Sequence, residues 1–173
     1  MLDDIHACLG ALKLRKMREI VEAELKTTQT KKTSYSAFLR DLLRQEVADK
    51  RQRSVQSRIH QASLPDRWTL ETYPFHIQTC VNKKQHHELA ELDFIARGEN
   101  VVWMGGTGVG KTGLASSILL KALYAGHSGK LVKAQDLFDE FSTSLADRST
   151  QALLKRLSRV DVLLIDELGY AEP

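Results

Sequence analysis

The stretch NVVWMGGTGVGKTGLASSILLKAL, residues 100–123, decides the fold class. Residues 100–104 form a short β-rich run typical of a buried parallel strand, and the apolar residues after position 113 recur at helical spacing. Between them, residues 105–112 match G-x-x-x-x-G-K-[ST] at every fixed position. This order of strand, loop and helix predicts an α/β fold with a phosphate-binding loop.

The residue types of this loop explain its chemistry. Glycines let the chain turn so that successive backbone N–H groups point at phosphate oxygens, and the following helix offers its positive amino-terminal end. Lys111 adds a flexible positive charge for the β- and γ-phosphates, and the Thr112 hydroxyl can ligate Mg²⁺. The candidate nucleotide-binding residues are Gly105, Gly106, Thr107, Gly108, Val109, Gly110, Lys111 and Thr112.

A second motif, VDVLLIDE at residues 160–167, is a hydrophobic strand that ends in two acids. Ligands of open α/β sheets bind at the carboxyl ends of the strands, so Asp166 is predicted to hold Mg²⁺ directly or through water. Glu167 is placed to polarise a water for attack on the γ-phosphate, and together with Lys111 it is the catalytic candidate. With the loop about 55 residues upstream, the pair of motifs predicts an ATPase site.

Strands and helices alternate through the rest of the second half. Residues 130–133 are predicted to form a strand and residues 135–145 a helix, while a further helix is predicted over 82–96, ending at Gly98. The adjacent His86 and His87 are predicted to be surface residues. The alternation indicates a parallel sheet that is covered on both faces.

The amino-terminal part is predicted to be helical throughout. One amphipathic helix is expected from residue 2 to about residue 25, followed by a polar connection over 27–33. A second helix is expected to begin after an N-cap at Thr33 or Ser34 and to stop before Pro65.

Positive charge is concentrated in this helical part, because residues 26–58 contain 9 basic and 3 acidic residues. A basic helical face fits the phosphate backbone of DNA, but a solvated helix face or a surface for a partner helix produces the same pattern. Three basic residues precede the second motif: Lys155, Arg156 and Arg159. This pattern is typical of a solvated helix end and equally of a surface that contacts nucleic acid or another subunit. The candidate DNA-binding residues are Lys31, Lys32, Arg40, Arg44, Lys50, Arg51, Arg53 and Arg58.

The composition is that of a soluble globular protein, with 42% hydrophobic and 27% charged residues, and it excludes a disordered tail or a fibre. The sequence has no apolar run of about 18 residues, and its first residues carry acids where a secretory signal carries positive charge. A cytoplasmic protein without a membrane segment is therefore expected.

Three segments resemble the IstB-like ATP-binding proteins, which are helper ATPases of insertion-sequence transposition and relatives of the helicase loader DnaC. They are GGTGVGKTGLA at 105–115, DVLLIDELGY at 161–170 and ELAELDFIARGENVVWMG at 88–105. The resemblance runs essentially from end to end and includes the basic helical segment at 34–65.

The resemblance implies an AAA+ type ATPase that assembles on double-stranded DNA as an ATP-dependent homo-oligomer and recruits or activates a transposase. It implies three regions: a basic helical region at 1–66 for DNA and subunit contacts, a linker and helix at 67–99, and a partial AAA+ ATPase domain at 100–173. Carried over by position, ATP binding falls on the loop at 105–112, Mg²⁺ on Thr112 and Asp166, and water activation on Glu167.

An AAA+ core also needs a sensor strand, a lid and an arginine finger from a neighbouring subunit, whereas this sequence stops six residues after Glu167. The expectation is a truncated P-loop domain in which nucleotide binding survives weakly and hydrolysis is slow, because an arginine finger contributes about 10³–10⁵ in rate. Two other functions fit the same residues: a DnaC-like helicase loader in DNA replication, and a non-catalytic fragment that binds DNA or partner subunits.

Overall fold

The computed structural model describes residues 1–31, 33–65, 68–69, 71–72 and 82–168. The chain divides into two compact units, one from Met1 to Gln56 and one that begins at Ser57. Each unit has its own buried residues and is described separately. In the described residues, no helix combines the length and the apolar character that crossing a bilayer requires.

The first unit contains α1 (Leu2–Ala11), α2 (Arg15–Lys31) and most of α3 (Tyr35–Ala62). The prediction of one helix over residues 2–25 is wrong, because the chain turns between α1 and α2 with Lys13 in the left-handed region at φ 57°. The turn lets α1 and α2 pack on each other and bury a shared apolar stripe. The buried core of this unit consists of Leu9, Met17, Val21 and Leu42.

The predicted connection at 27–33 is also wrong over its first part, because α2 continues to Lys31. The hydroxyls of Thr27 and Thr30 donate back to carbonyls of the preceding turn, Thr27 to Ala23 at 2.9 Å and Thr30 to Thr27 at 2.8 Å. These bonds keep the polar side chains compatible with a helix. The predicted N-cap is confirmed at Ser34, whose Oγ accepts from the Ala37 N–H at 3.3 Å.

Glu46 of α3 caps the amino terminus of α2. Its Oε2 accepts from the Met17 N–H at 2.8 Å, and its Oε1 lies 3.4 Å from the Arg53 guanidinium. Glu46 is only 4% exposed. A carboxylate at a helix amino terminus satisfies an N–H that has no partner within the helix and interacts favourably with the helix dipole.

We expect Glu46→Gln to destabilise the first unit by about 1 kcal/mol, since an amide oxygen still accepts a hydrogen bond but carries no charge. The measurement is hydrogen exchange at the Met17 amide, which should become several-fold faster. Glu19→Gln is the matched control, because Glu19 forms a surface ion pair with Lys16 at 3.0 Å, and such pairs contribute little. Equal exchange rates in the two variants would contradict the capping role.

The second unit contains α4 (Lys83–Leu89), α5 (Asp93–Arg97), α6 (Lys111–Ala125), β1 (Gly129–Lys133), α7 (Ala134–Ala146), α8 (Thr150–Leu157) and β2 (Val162–Asp166). The predicted helix over 82–96 begins and ends where expected, with Asn82 as its N-cap and Gly98 in the left-handed C-cap conformation at φ 64°. It is nevertheless broken into α4 and α5, because Leu92 adopts φ 68° between them.

The sheet of this unit consists of β1 and β2, which run parallel with Gly129 opposite Val162 and Lys133 opposite Asp166. The parallel arrangement predicted from the alternation of strands and helices is confirmed for this pair. Helix α6 contacts both strands and is buried on most of its surface. Gly129 permits this packing, since a Cβ there would lie 2.5 Å from Leu119 Cδ1.

The predicted strand at 100–104 is not formed. A β-rich run becomes a strand only where a neighbouring strand pairs with its N–H and C=O groups. Among the described residues no segment pairs with 100–104, and Val102 and Met104 are 74% and 90% exposed. The segment therefore leads into the loop without a ladder of hydrogen bonds.

The two strands start from one reciprocal set of hydrogen bonds. The Asp161 carboxylate accepts from the Ser128 N–H at 2.7 Å and from the Ser128 hydroxyl at 2.8 Å, and the Asp161 N–H donates to Ser128 Oγ at 3.0 Å. The hydrogen bonds from Ser128 lower the pKa of Asp161 below its usual value. They hold the amino ends of β1 and β2 in register.

The prediction that His86 is a surface residue is wrong, whereas His87 is exposed as expected. His86 is 1% exposed, and its Nε2 lies 3.1 Å from Ser117 Oγ on α6. Its ring and that of Trp103 form a T-shaped contact, with 5.5 Å between the ring centroids and 64° between the ring planes. Because Ser117 supplies a hydrogen-bond partner, this polar ring can be buried at the contact between α4 and α6.

Candidate nucleotide-binding site

The glycine-rich loop before α6 needs glycine at two positions for conformational reasons. Gly108 has φ 79°, and Gly110, the N-cap of α6, has φ 85°. Both values lie in the left-handed region, which side chains with a Cβ adopt at a cost. The chain turns at these two glycines and enters α6 directly after Gly110.

Lys111 folds back over this loop. Its Nζ donates to the carbonyl oxygens of Gly105 at 2.9 Å and Gly106 at 2.8 Å. An ammonium group has three donors, so one remains after these two bonds. The positive charge is thereby fixed beside the backbone of the loop, where the sequence motif requires it for phosphate binding.

Thr112 and Asp166 meet although they are 54 positions apart in the sequence. The Thr112 hydroxyl lies 3.1 Å from Asp166 Oδ1 and 3.0 Å from Oδ2. Thr112 is in the first turn of α6, and Asp166 is the last residue of β2. A hydroxyl and a carboxylate are hard oxygen ligands, so this donor pair fits Mg²⁺.

Glu167 follows Asp166 and adopts the left-handed region at φ 59°. Its Oε2 lies 3.2 Å from Lys133 Nζ at the carboxyl end of β1. Its backbone N–H donates to Asp166 Oδ1 at 3.0 Å. The structure thus gathers Thr112, Asp166, Glu167 and Lys133 at one edge of the sheet.

Sequence reasoning did not single out Lys133 as a site residue. The signal was present, because Lys133 ends the predicted strand at 130–133 and the carboxyl ends of parallel strands lie at the same edge of a sheet. Its register partner in β2 is Asp166. The Lys133 ammonium pairs with Glu167 and lies next to Asp166, so it offsets part of the negative charge at this edge.

The candidate DNA-binding residues fall into two groups by their contacts. Lys31, Arg44, Lys50 and Arg51 are exposed on α2 and α3. The other described candidates are engaged within the protein. Arg40 lies 3.0 Å from Asp41, Arg53 lies 2.7 Å from Asp49, and Arg58 Nε donates to the Leu123 carbonyl at 3.1 Å. Lys32 lies outside the described residues.

A glycine-rich loop at the start of a helix, with a lysine over the loop and a strand-end aspartate beside its threonine, is the arrangement of the P-loop class of nucleotide-binding proteins. Comparison with models of protein families assigns the chain to one family within this class. The model described as IstB-like ATP binding protein matches residues 7–172, and the chain belongs to this family.

Individual relatives agree with this assignment. A Geobacillus stearothermophilus protein, named for ATP binding and insertion sequence IS5376, is 35% identical over 98% of this chain and 68% of its own length. A Pseudomonas aeruginosa protein named for ATP binding and IS21 is 35% identical over 98% of this chain and 64% of its own length. A Bacteroides fragilis protein named for ATP binding and an IS21-like element is 33% identical over 95% of this chain and 83% of its own length.

Proposed function

We propose that this protein binds ATP with Mg²⁺ at the loop of residues 105–112 and acts as a helper of DNA transposition. The observation that carries the proposal is the contact between Thr112 and Asp166 at 3.0–3.1 Å, which joins the two sequence motifs at one point. Lys111 would bind the β- and γ-phosphates, while Thr112 and Asp166 would hold the metal ion. Mg²⁺ would neutralise phosphate charge there.

Glu167 is proposed to orient and activate water at the γ-phosphate. Its carboxylate is next to Asp166 in sequence and 3.2 Å from Lys133, so its charge is held at the edge of the sheet where the phosphates would lie. A carboxylate within reach of a water molecule can accept the proton during attack. The proposed activity of the site is Mg²⁺-dependent ATP hydrolysis.

The proposed partners of the protein are double-stranded DNA, other copies of the same chain and the transposase of an insertion sequence. The names of the relatives, which refer to insertion sequences and ATP binding, support the transposition setting. Lys31, Arg44, Lys50 and Arg51 are exposed cations of the basic helical region and would contact DNA phosphates. ATP would favour assembly on DNA, and the assembled protein would recruit or activate the transposase.

The test is the affinity for duplex DNA with and without ATP and Mg²⁺, measured by fluorescence anisotropy. We expect ATP to tighten DNA binding about tenfold, a typical coupling between two sites. Asp166→Asn should remove most of this increase, because an amide is a weaker ligand for Mg²⁺ than a carboxylate.

Asp139→Asn is the matched control, since Asp139 is an exposed acid of α7 whose carboxylate accepts from the Gln135 amide at 3.2 Å. It should leave the ATP-dependent increase unchanged. Equal DNA affinity of the unmodified protein with and without ATP would overturn the proposed gating by nucleotide.

A further inference from the structure

Helix α3 carries a row of exposed apolar side chains in the first unit. The members of this apolar ridge are Tyr35, Leu39, Leu43 and Val47, and their exposed fractions range from 45% to 92%. Because they are spaced four residues apart, they lie on one side of the helix. The ridge covers about three turns of α3, or about 18 Å at 1.5 Å per residue. Contiguous exposed apolar surface marks a site of interaction, whereas a single exposed leucine needs no explanation.

The apolar ridge runs beside the face through which α3 packs into the first unit. Leu42 and Glu46 on that face are buried, and they immediately precede Leu43 and Val47. One position along an α-helix is a rotation of about 100°. The ridge is therefore a second apolar face of α3, next to the one that the first unit buries.

A row of arginines borders the apolar ridge on its other side. The arginine row consists of Arg40, Arg44 and Arg51, which are exposed and recur at helical spacing. Arg40 pairs with Asp41 at 3.0 Å. Arg44 and Arg51 form no salt bridge with any residue in the described part of the chain. Helix α3 thus presents an apolar ridge and two unneutralised cations side by side.

The ridge and the arginine row together indicate what kind of molecule covers this surface. Contacts to DNA phosphates use polar and charged groups, and protein–DNA interfaces are more polar than protein–protein interfaces. The arginine row alone would serve DNA, whereas the apolar ridge calls for a protein. An amphipathic helix covers such a surface with apolar residues at helical spacing. Acidic residues along its border would form charge-assisted hydrogen bonds with the arginines.

A second copy of the chain fits the apolar ridge poorly. A two-fold axis places the same surface of both copies face to face. If the two ridges ran antiparallel, the arginine row of one copy would lie beside the arginine row of the other. Like charges across an interface oppose association. Acidic residues on the occupant replace this repulsion with attraction, so the charges favour a different protein.

We propose that the apolar ridge is a docking site for an amphipathic helix of another protein, with acidic residues that pair with Arg44 and Arg51. A transposase as the source of this helix rests on the proposed function, whereas the docking site itself requires no bound nucleotide. Arg44 and Arg51 are also proposed DNA contacts, so the docked helix and duplex DNA would compete for them. The apolar ridge would serve the helix alone.

The first arm of the test uses a fluorescent synthetic peptide that forms an amphipathic helix of four turns, with leucines on one face and glutamates along its border. We expect saturable binding to the whole chain by fluorescence anisotropy, and at least tenfold weaker binding when the glutamates are replaced by lysines. Leu43→Gln should weaken binding of the glutamate peptide about tenfold, because the ridge loses a central apolar contact. Leu145→Gln, at an exposed leucine of α7, is the matched control and should bind normally.

The second arm separates the docking site from the proposed DNA contacts. Arg44→Gln should weaken binding of the peptide and of duplex DNA, each about threefold to tenfold. Leu43→Gln should leave DNA affinity nearly unchanged, and Arg159→Gln, at an exposed arginine after α8, should leave peptide binding unchanged. If the protein binds no DNA, the proposed DNA contacts are wrong, and the peptide measurements still decide the docking site.

Four results would overturn the docking site. They are the absence of saturable peptide binding, equal binding of the glutamate and lysine peptides, unchanged peptide binding by Leu43→Gln, and a different occupant. Self-association without nucleotide or DNA that Leu43→Gln abolishes, measured by sedimentation velocity, would assign the ridge to a second copy. Binding to phosphatidylserine vesicles that Leu43→Gln abolishes would assign it to a membrane surface. Circular dichroism of each variant verifies that its helices are retained.

Discussion

Replacing Lys111 with alanine should weaken binding of a fluorescent ATP analogue about 100-fold. The ammonium group lies against the loop, 2.8 Å and 2.9 Å from two carbonyl oxygens, and belongs to the proposed phosphate site itself. Bound phosphate would compete with these carbonyls for the three donors of Lys111, and alanine would then remove about two charge-assisted hydrogen bonds to phosphate, each contributing about 1.5 kcal/mol. A loss of about 3 kcal/mol corresponds to about two orders of magnitude in affinity.

The control for this experiment is Lys121→Ala on the same helix, which removes an equal charge further along α6. It should bind the analogue nearly as well as the unmodified protein. Titration with Mg²⁺ present gives both dissociation constants, and circular dichroism verifies that Lys111→Ala keeps its helices. Unchanged affinity in Lys111→Ala would show that the phosphate loop does not carry nucleotide binding.

The parts of the site that follow from local sequence could be predicted. Helix α6 forms directly after the loop as expected, because glycine supplies the positive φ at Gly108 and Gly110 and the apolar residues that follow recur at helical spacing. The strand predicted over 160–167 also forms, with residues 160, 161 and 167 left outside β2. The loop and α6 need only nearby residues to be specified, whereas β2 also has β1 as its pairing partner.

The features that were predicted wrongly depend on contacts about which the periodicity of the sequence carries no information. Residues 100–104 have the composition of a strand, but a strand also needs a neighbour to pair with, and periodicity carries no information about that neighbour. Residues 27–31 are polar yet helical, since the threonine hydroxyls find carbonyls in the previous turn. His86 illustrates the same limit, because only the folded chain places it against Ser117 and Trp103.

His86 should make the second unit sensitive to mild acid. Burial, with a smaller contribution from His87, lowers the pKa of His86 to about 4 from its ordinary value of 6.5. Ser117 Oγ donates its own proton to the Leu114 carbonyl at 2.7 Å, so it accepts from the Nε2–H of a neutral His86 ring. Protonation would place a charge in a site that holds the neutral ring between α4 and α6.

The direction of this effect follows from proton counting. Between pH 6.5 and pH 4 the unfolded chain binds a proton at His86 and the folded unit does not, so acid favours unfolding. The neutral His86 ring makes its full contribution to the free energy of unfolding above about pH 6.5. This contribution is lost progressively as the pH falls below that value. We expect the free energy of unfolding to fall by about 2 kcal/mol between pH 7.5 and pH 5 through this group alone.

Urea denaturation followed by tryptophan fluorescence measures this loss, because Trp103 contacts the His86 ring directly. His86→Gln keeps an amide donor for Ser117 but cannot be protonated, so about 2 kcal/mol of the pH dependence should disappear in this variant. His87→Gln removes the exposed neighbour and should retain most of it. An identical loss of stability with falling pH in His86→Gln and the unmodified protein would show that His86 is not the acid-sensitive group.

His86 joins α4 to α6, the helix that begins at Lys111. The acid-induced loss of stability should therefore be accompanied by loss of ATP-analogue binding.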